Sequence, residues 1–91
     1  MIAKILSLGG DRRGDFSIEL VGNDTTTTIS GKFQHSVYWR HRKIELKRHE
    51  DKKGRHRFND ETKAATEPLI RAILWDKDGE LRKEGKSFKI G

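Results

Sequence analysis

Phe16-Ser17-Ile18-Glu19-Leu20 alternates apolar and polar residues without a break. That is the period of a strand with one face buried and one face wet. On its N-terminal side, Gly9-Gly10-Asp11-Arg12-Arg13-Gly14-Asp15 reads as a loop. Before the loop, Ile2, Leu6 and Leu8 share a parity interrupted by Lys4, which predicts a first strand. On its C-terminal side, Gly22-Asn23-Asp24 is a turn, and the β-branched run Thr25 to Thr28 followed by Ile29 predicts a third strand to about Phe33.

A hairpin is expected over residues 37–58. Val37 to His49 forms one strand, Asp51-Lys52-Lys53-Gly54 turns it with Gly54 in the left-handed position, and Arg55 to Phe58 returns. In this register Phe58 lies across from Arg48 and shares a face with Ile44 and Leu46. Alternation puts Arg40, Arg42 and Arg48 on that parity and Lys43 and Lys47 on the other, so charge on both faces favours a projecting arm. Asn59 or Asp60 caps a short helix to about Thr66, which Pro68 stops or follows with another. Leu69-Ile70-Arg71-Ala72-Ile73-Leu74-Trp75 fits a helix or a buried strand equally well by period. The turn Asp76-Lys77-Asp78-Gly79, which sets Trp75 opposite Leu81, favours the strand, and Phe88 and Ile90 continue the apolar parity. The expected fold is mainly β (α+β) and a single domain, 1–91. It is a small curled antiparallel sheet or partly open barrel of five to seven strands, with one short helix and a protruding basic hairpin. Small OB- and SH3-type barrels are the nearest architectures.

The 91 residues are 32% hydrophobic and 37% charged, so the core must be thin. There is no cysteine, which removes disulfides and thiolate metal sites and leaves pairing with a second copy, a homodimer, as one of the few remaining supports. The N-terminal apolar run is too short for a signal peptide, and no segment reaches the ~20 apolar residues of a membrane span. A cytoplasmic protein with no membrane partner is expected.

The charge is not spread evenly. Lys32 to Arg57 holds ten basic residues against three acidic ones, an excess of seven; the remainder holds ten against eleven, and together they give the net charge of +6. His35, His41, His49 and His56 fall in the same segment. Concentrated charge of this kind is the footprint of a polyanion binder. The expected function is non-catalytic binding of DNA or RNA, with phosphate contacts from Arg40, Arg42, Lys43, Lys47, Arg48, Lys52, Lys53, Arg55 and Arg57. Tyr38 and Trp39 serve either as core or as stacking surfaces for unpaired bases. The rival reading is a small inhibitor or adaptor, of the kind phages and plasmids encode, that docks the same surface on an acidic protein. Two further chemistries are weaker. Glu45-Leu46-Lys47 and Glu61-Thr62-Lys63 match the carboxylate-x-lysine element of a metal-dependent nuclease, with Asp24 or Asp60 as the further ligand, but such matches arise by accident in a chain rich in Glu and Lys. His49-Glu50-Asp51 with His56 matches no zinc spacing. No P-loop, dinucleotide fingerprint or nucleophile elbow is present, and no cofactor is expected.

Overall fold

The computed structural model describes residues 1–10, 12–36 and 41–90. Six antiparallel strands form one unclosed sheet, and a single helix packs on one of its faces. The elements are β1 (Ile2–Leu8), β2 (Arg13–Val21), β3 (Thr26–Ser36), β4 (His41–Asp51), β5 (Gly54–Arg57), α1 (Asp60–Leu74) and β6 (Ser87–Lys89). The strand order is β5-β4-β3-β2-β1-β6, so the first five strands form a meander and the last returns beside the first. The fold is thus the expected mainly β, small curled sheet with one helix.

Phe16, Ile18 and Leu20 of β2 all point into the core. They fix the parity of β1, because Ile18 pairs with Ile5 and Leu20 with Ala3. Ala3 and Ile5 are accordingly fully buried, whereas Ile2 and Leu6, which share the apolar parity of the sequence, are 50% and 37% exposed. A register shift between Ile5 and Ser7 then changes the parity, so that Leu8 packs against the core opposite Phe16. In β3, Ile29, Gly31 and Phe33 face inward, and the strand continues three residues beyond the expected end at Phe33.

A second irregularity lies in β4. Ser30 pairs with Arg48 and Gly31 with Leu46, which leaves Lys47 as an extra residue. Gly31 is needed there: a Cβ would collide with the backbone carbonyl of Glu45 and lie 3.1 Å from the Phe16 ring. The bulge reverses the expected alternation. Ile44 and Leu46 face the core, but Arg48 falls on the opposite face with Lys43, and His49 takes its place opposite Ile29. The return strand is shifted by one residue as well. Arg57, not Phe58, pairs with Arg48, while the Phe58 N–H points to the Lys47 carbonyl at 3.5 Å. Phe58 still packs against the core, as Ile44 does.

The helix is longer than its sequence suggests. Asn59 caps it: its side chain accepts from the Thr62 N–H at 2.8 Å, and its own N–H donates to Thr62 Oγ1 at 3.0 Å. It then runs through Pro68 to Leu74, so the expected stop near Thr66 and the strand over 69–75 are both overturned. Ile70, Ile73 and Leu74 are spaced i, i+3, i+4 and are completely buried. Burying each contributes about 1.5–3 kcal/mol, enough to offset the ~3 kcal/mol of a proline in a helix interior. Extended backbone at Trp75 ends the helix, and the expected pairing of Trp75 with Leu81 is present as an isolated bridge.

Both sheet edges are managed. β5 covers β4 only from Arg48 to Asp51. Along the rest of β4, the Arg71 guanidinium of α1 donates to the carbonyl of Arg42. At the other edge, Gly85 and Lys86 bond Ile5 across the backbone before β6 begins. No helix among the described residues is long and apolar enough to cross a membrane.

Because Pro68 is exposed in a continuous helix, Pro68→Ala should raise stability by about 1–3 kcal/mol in urea unfolding. Ile73→Ala should lower it by about 2–5 kcal/mol in the same experiment.

Candidate nucleic-acid interface

Among the described residues the face of the sheet turned away from α1 carries no helix, and the cross-strand register orders its side chains into transverse rows. Residues directly opposite each other share a face, and neighbouring strands lie about 4.8 Å apart. One row is Arg13, Gln34 and Lys43, and the next is Asp15, Lys32 and Glu45. The third runs Ser7, Ser17, Ser30, Arg48 and Arg57, across five strands. The fourth is Lys4, Glu19, Thr28, Glu50 and Arg55. Of these four rows, the first and third lack a carboxylate. A depression of about 270 Å³ lies over the third and fourth rows, with Ser17, Thr28, Ser30, Arg48 and Arg55 in its lining. A second, of about 640 Å³, lies over the first two.

The expected contact residues divide into groups. Lys43, Arg48, Arg55 and Arg57 lie on this open face, all exposed. Lys52 and Lys53 stand at the turn between β4 and β5, where the Lys53 N–H donates to Asp51 Oδ1 at 2.8 Å. Lys47 sits at the bulge, its Nζ 2.9 Å from Glu45 Oε1. Arg55 is partly neutralised by Glu50, with Nε 3.3 Å from Oε2. Arg42 does not belong to the open face. It pairs with His35 on the helix side and is only partly exposed, with its guanidinium against Gly79. Arg40, Tyr38 and Trp39 lie outside the described residues. The projecting arm is reduced to the Lys52-Lys53 turn, because β4 stays paired with β3 as far as Glu50.

The hairpin brings like groups together. Arg48 stands directly opposite Arg57, and His49 opposite His56. The two imidazoles stack at 5.1 Å between centroids, with Phe58 edge-on to His49 at 4.8 Å and Asp51 Oδ1 3.7 Å from His56 Nε2. Two guanidinium groups at directly opposed positions repel, an arrangement that costs a sheet stability unless an anion lies between them. Neither arginine makes an ion pair among the described residues.

Of the carboxylate-x-lysine elements, Glu45 is engaged by Lys47, and Lys63 of the second element also lies near enough to act on its charge. Among the described residues no three histidines or carboxylates gather as a metal would require. The serines were not singled out from the sequence, and Arg13 was read there as part of a solvated loop. Ser17 could have been found, since it alternates with Phe16 and Ile18; that Ser30, Arg48 and Arg57 continue its row depends on the bulge and has no sequence signal. No family model matches the chain, and no curated protein or solved structure matches it either.

The hydrogen bond and charge of Lys47 hold the Glu45 carboxyl below its ordinary value, with Lys32 and Lys63 contributing less. A lowered carboxyl favours the folded state above the ordinary glutamate range, and that contribution is lost as the pH falls through the lowered value. Lys47→Ala should therefore move the Glu45 titration upward, toward the ordinary value, in a carboxyl NMR titration.

Proposed function

We propose that this protein binds nucleic acid without catalysis, laying a phosphate backbone on the open face of its sheet along the β3–β5 side. The observation that carries this reading is the third row: three serine hydroxyls lead to two directly opposed arginines, with no carboxylate among them. A phosphate oxygen between Arg48 and Arg57 relieves their repulsion and receives charge-assisted hydrogen bonds from both. Ser17 and Ser30 extend the same line with donors that carry no charge, the way proteins fix the register of a backbone without reading bases. Lys43 on one side and the Lys52-Lys53 turn on the other lengthen the track. A face of this shape suits a strand lying across it; it does not suit insertion of an arm into a groove, because β4 is held in the sheet along its length.

Arg48, Arg57, Lys43, Lys52 and Lys53 are the open-face basic groups of β4, β5 and the turn between them without an ion-pair partner among the described residues. Engaging about five phosphates gives a slope of log affinity against log salt near −3.5 on a single strand and −4.5 on a duplex. Titration of labelled single-stranded and duplex oligonucleotides at several salt concentrations measures it. Weak binding without salt dependence overturns the proposal, and retention of one acidic protein after nuclease treatment supports a protein partner for the same face instead.

Arg57→Glu separates binding from folding. It should raise stability by up to about 1 kcal/mol, by placing a carboxylate opposite Arg48, and should weaken nucleic-acid binding. A variant that is more stable and binds as tightly as the parent would exclude the arginine pair from the interface.

A further inference from the structure

A separate cleft of about 730 Å³ lies at the other end of β4 from the Lys52-Lys53 turn. It opens between the β1–β2 loop, the end of β3, the start of β4 and residues 78–84. Leu8 and Leu81 give it apolar wall, and Arg12, His35, Arg42 and Arg82 give it donors. The Nε atoms of Arg42 and Arg82 are both buried, and neither has a hydrogen-bond partner among the described residues. Buried N–H groups of ionised side chains are rarely left unpaired in a stable fold, so both arginines that border the cleft lack part of the acceptor set their charge calls for.

The surroundings hold these donors in place. The Arg42 guanidinium lies against Gly79, at a turn with φ +80° where a Cβ would collide with it. That turn is fastened by Asp76 Oδ1, which accepts from the N–H groups of Asp78 and Glu80 at 2.9 and 3.0 Å. Arg82 sits with its guanidinium carbon 4.1 Å from the centre of the Phe88 ring, and its backbone N–H donates to the Leu74 carbonyl at 2.7 Å. The Trp75 indole N–H donates to His35 Nδ1 at 3.0 Å. A ring nitrogen that accepts carries no hydrogen, so the other, Nε2, is the donor. Asp78, Glu80 and Glu84 also line the cleft, yet none forms an ion pair with Arg42 or Arg82.

We infer that this cleft binds a phosphate monoester, with the phosphate among Arg42, Arg82 and His35 and the body of the ligand against Leu8 and Leu81. Guanidinium forks pair with phosphate oxygens bidentately. Donors drawn from separate segments of chain suit the three peripheral oxygens of a tetrahedral group better than the single plane of a carboxylate. The volume is that of a small-molecule site and accommodates a mononucleotide. A free mononucleotide and the phosphorylated 5′ end of a nucleic acid present the same group.

The test uses the isotope-labelled full chain, following the Trp75 indole N–H by NMR as inorganic phosphate and then adenosine monophosphate are added at constant ionic strength. Trp39→Phe identifies the Trp75 signal. A saturable shift is expected, tighter for the nucleotide than for phosphate alone. Arg42→Gln and Arg82→Gln should each weaken binding tenfold or more, and Arg42→Lys, which keeps the charge but loses the fork, should weaken it less. Arg57→Glu on the open face should leave it unchanged, which separates this site from the proposed backbone track. One oligonucleotide with and without a 5′ phosphate distinguishes the two sources: a gain from the terminal phosphate that Arg42→Gln abolishes assigns the cleft to nucleic-acid ends, and no gain assigns it to free nucleotides. The inference is overturned if sodium chloride at equal ionic strength produces the same shift, if no shift saturates, or if the folded Arg42→Gln and Arg82→Gln proteins bind as the parent does.

Discussion

Ile70, Ile73 and Leu74 of α1 are buried in one apolar cluster with Ala3, Ile5, Phe16 and Ile18 of the sheet, and the rest of the fold is arranged around that contact. In a chain that is only 32% hydrophobic, one face of the sheet takes most of the apolar side chains. Among the described residues the helix is the only element that covers that face, and it continues through Pro68. It also reaches the rim: Arg71 donates to the Arg42 carbonyl on the part of β4 that β5 leaves bare. A core with one lid necessarily leaves the other face of the sheet to polar and charged side chains.

What that open face carries is decided by the bulge at Lys47. Up to Leu46, β4 keeps its alternation; beyond it, one extra residue sends Arg48 outward and His49 inward. The bulge in turn requires Gly31, where the Glu45 carbonyl occupies the space of a side chain. A packing detail inside the sheet therefore sets the arginine pair outside it. The same strand carries Arg42 on the helix side, where it joins Arg82 and His35 in the terminal cleft instead of the open face. The basic residues of one segment are thus divided between the two sides of the sheet.

The elements whose signal is local were legible in the sequence. Strict alternation located β2, the glycine-bearing turns at Gly54 and Gly79 were read correctly, and the Asn59 cap and the Trp75–Leu81 pairing followed from short-range chemistry. The failures came where two signals competed. Pro68 and a run of seven residues fitting either period argued against a helix that tertiary burial made worthwhile. In β1, Ile2, Leu6 and Leu8 appeared to define the inner face, but the partner strand imposed the opposite parity on the first half.

By itself, then, the sequence determined that this is a mainly β chain, a curled sheet or partly open barrel with one helix, with its positive charge concentrated between Lys32 and Arg57. Composition and alternation are properties of each segment and survive without knowledge of its neighbours. Only the tertiary structure decided which charges share a face. Bulges shift parity by one residue at points set by contacts between strands, and a shift of one residue moves a side chain to the other side of the sheet. Arg48 and Arg57 became neighbours, and Arg42 was withdrawn to the cleft, for that reason.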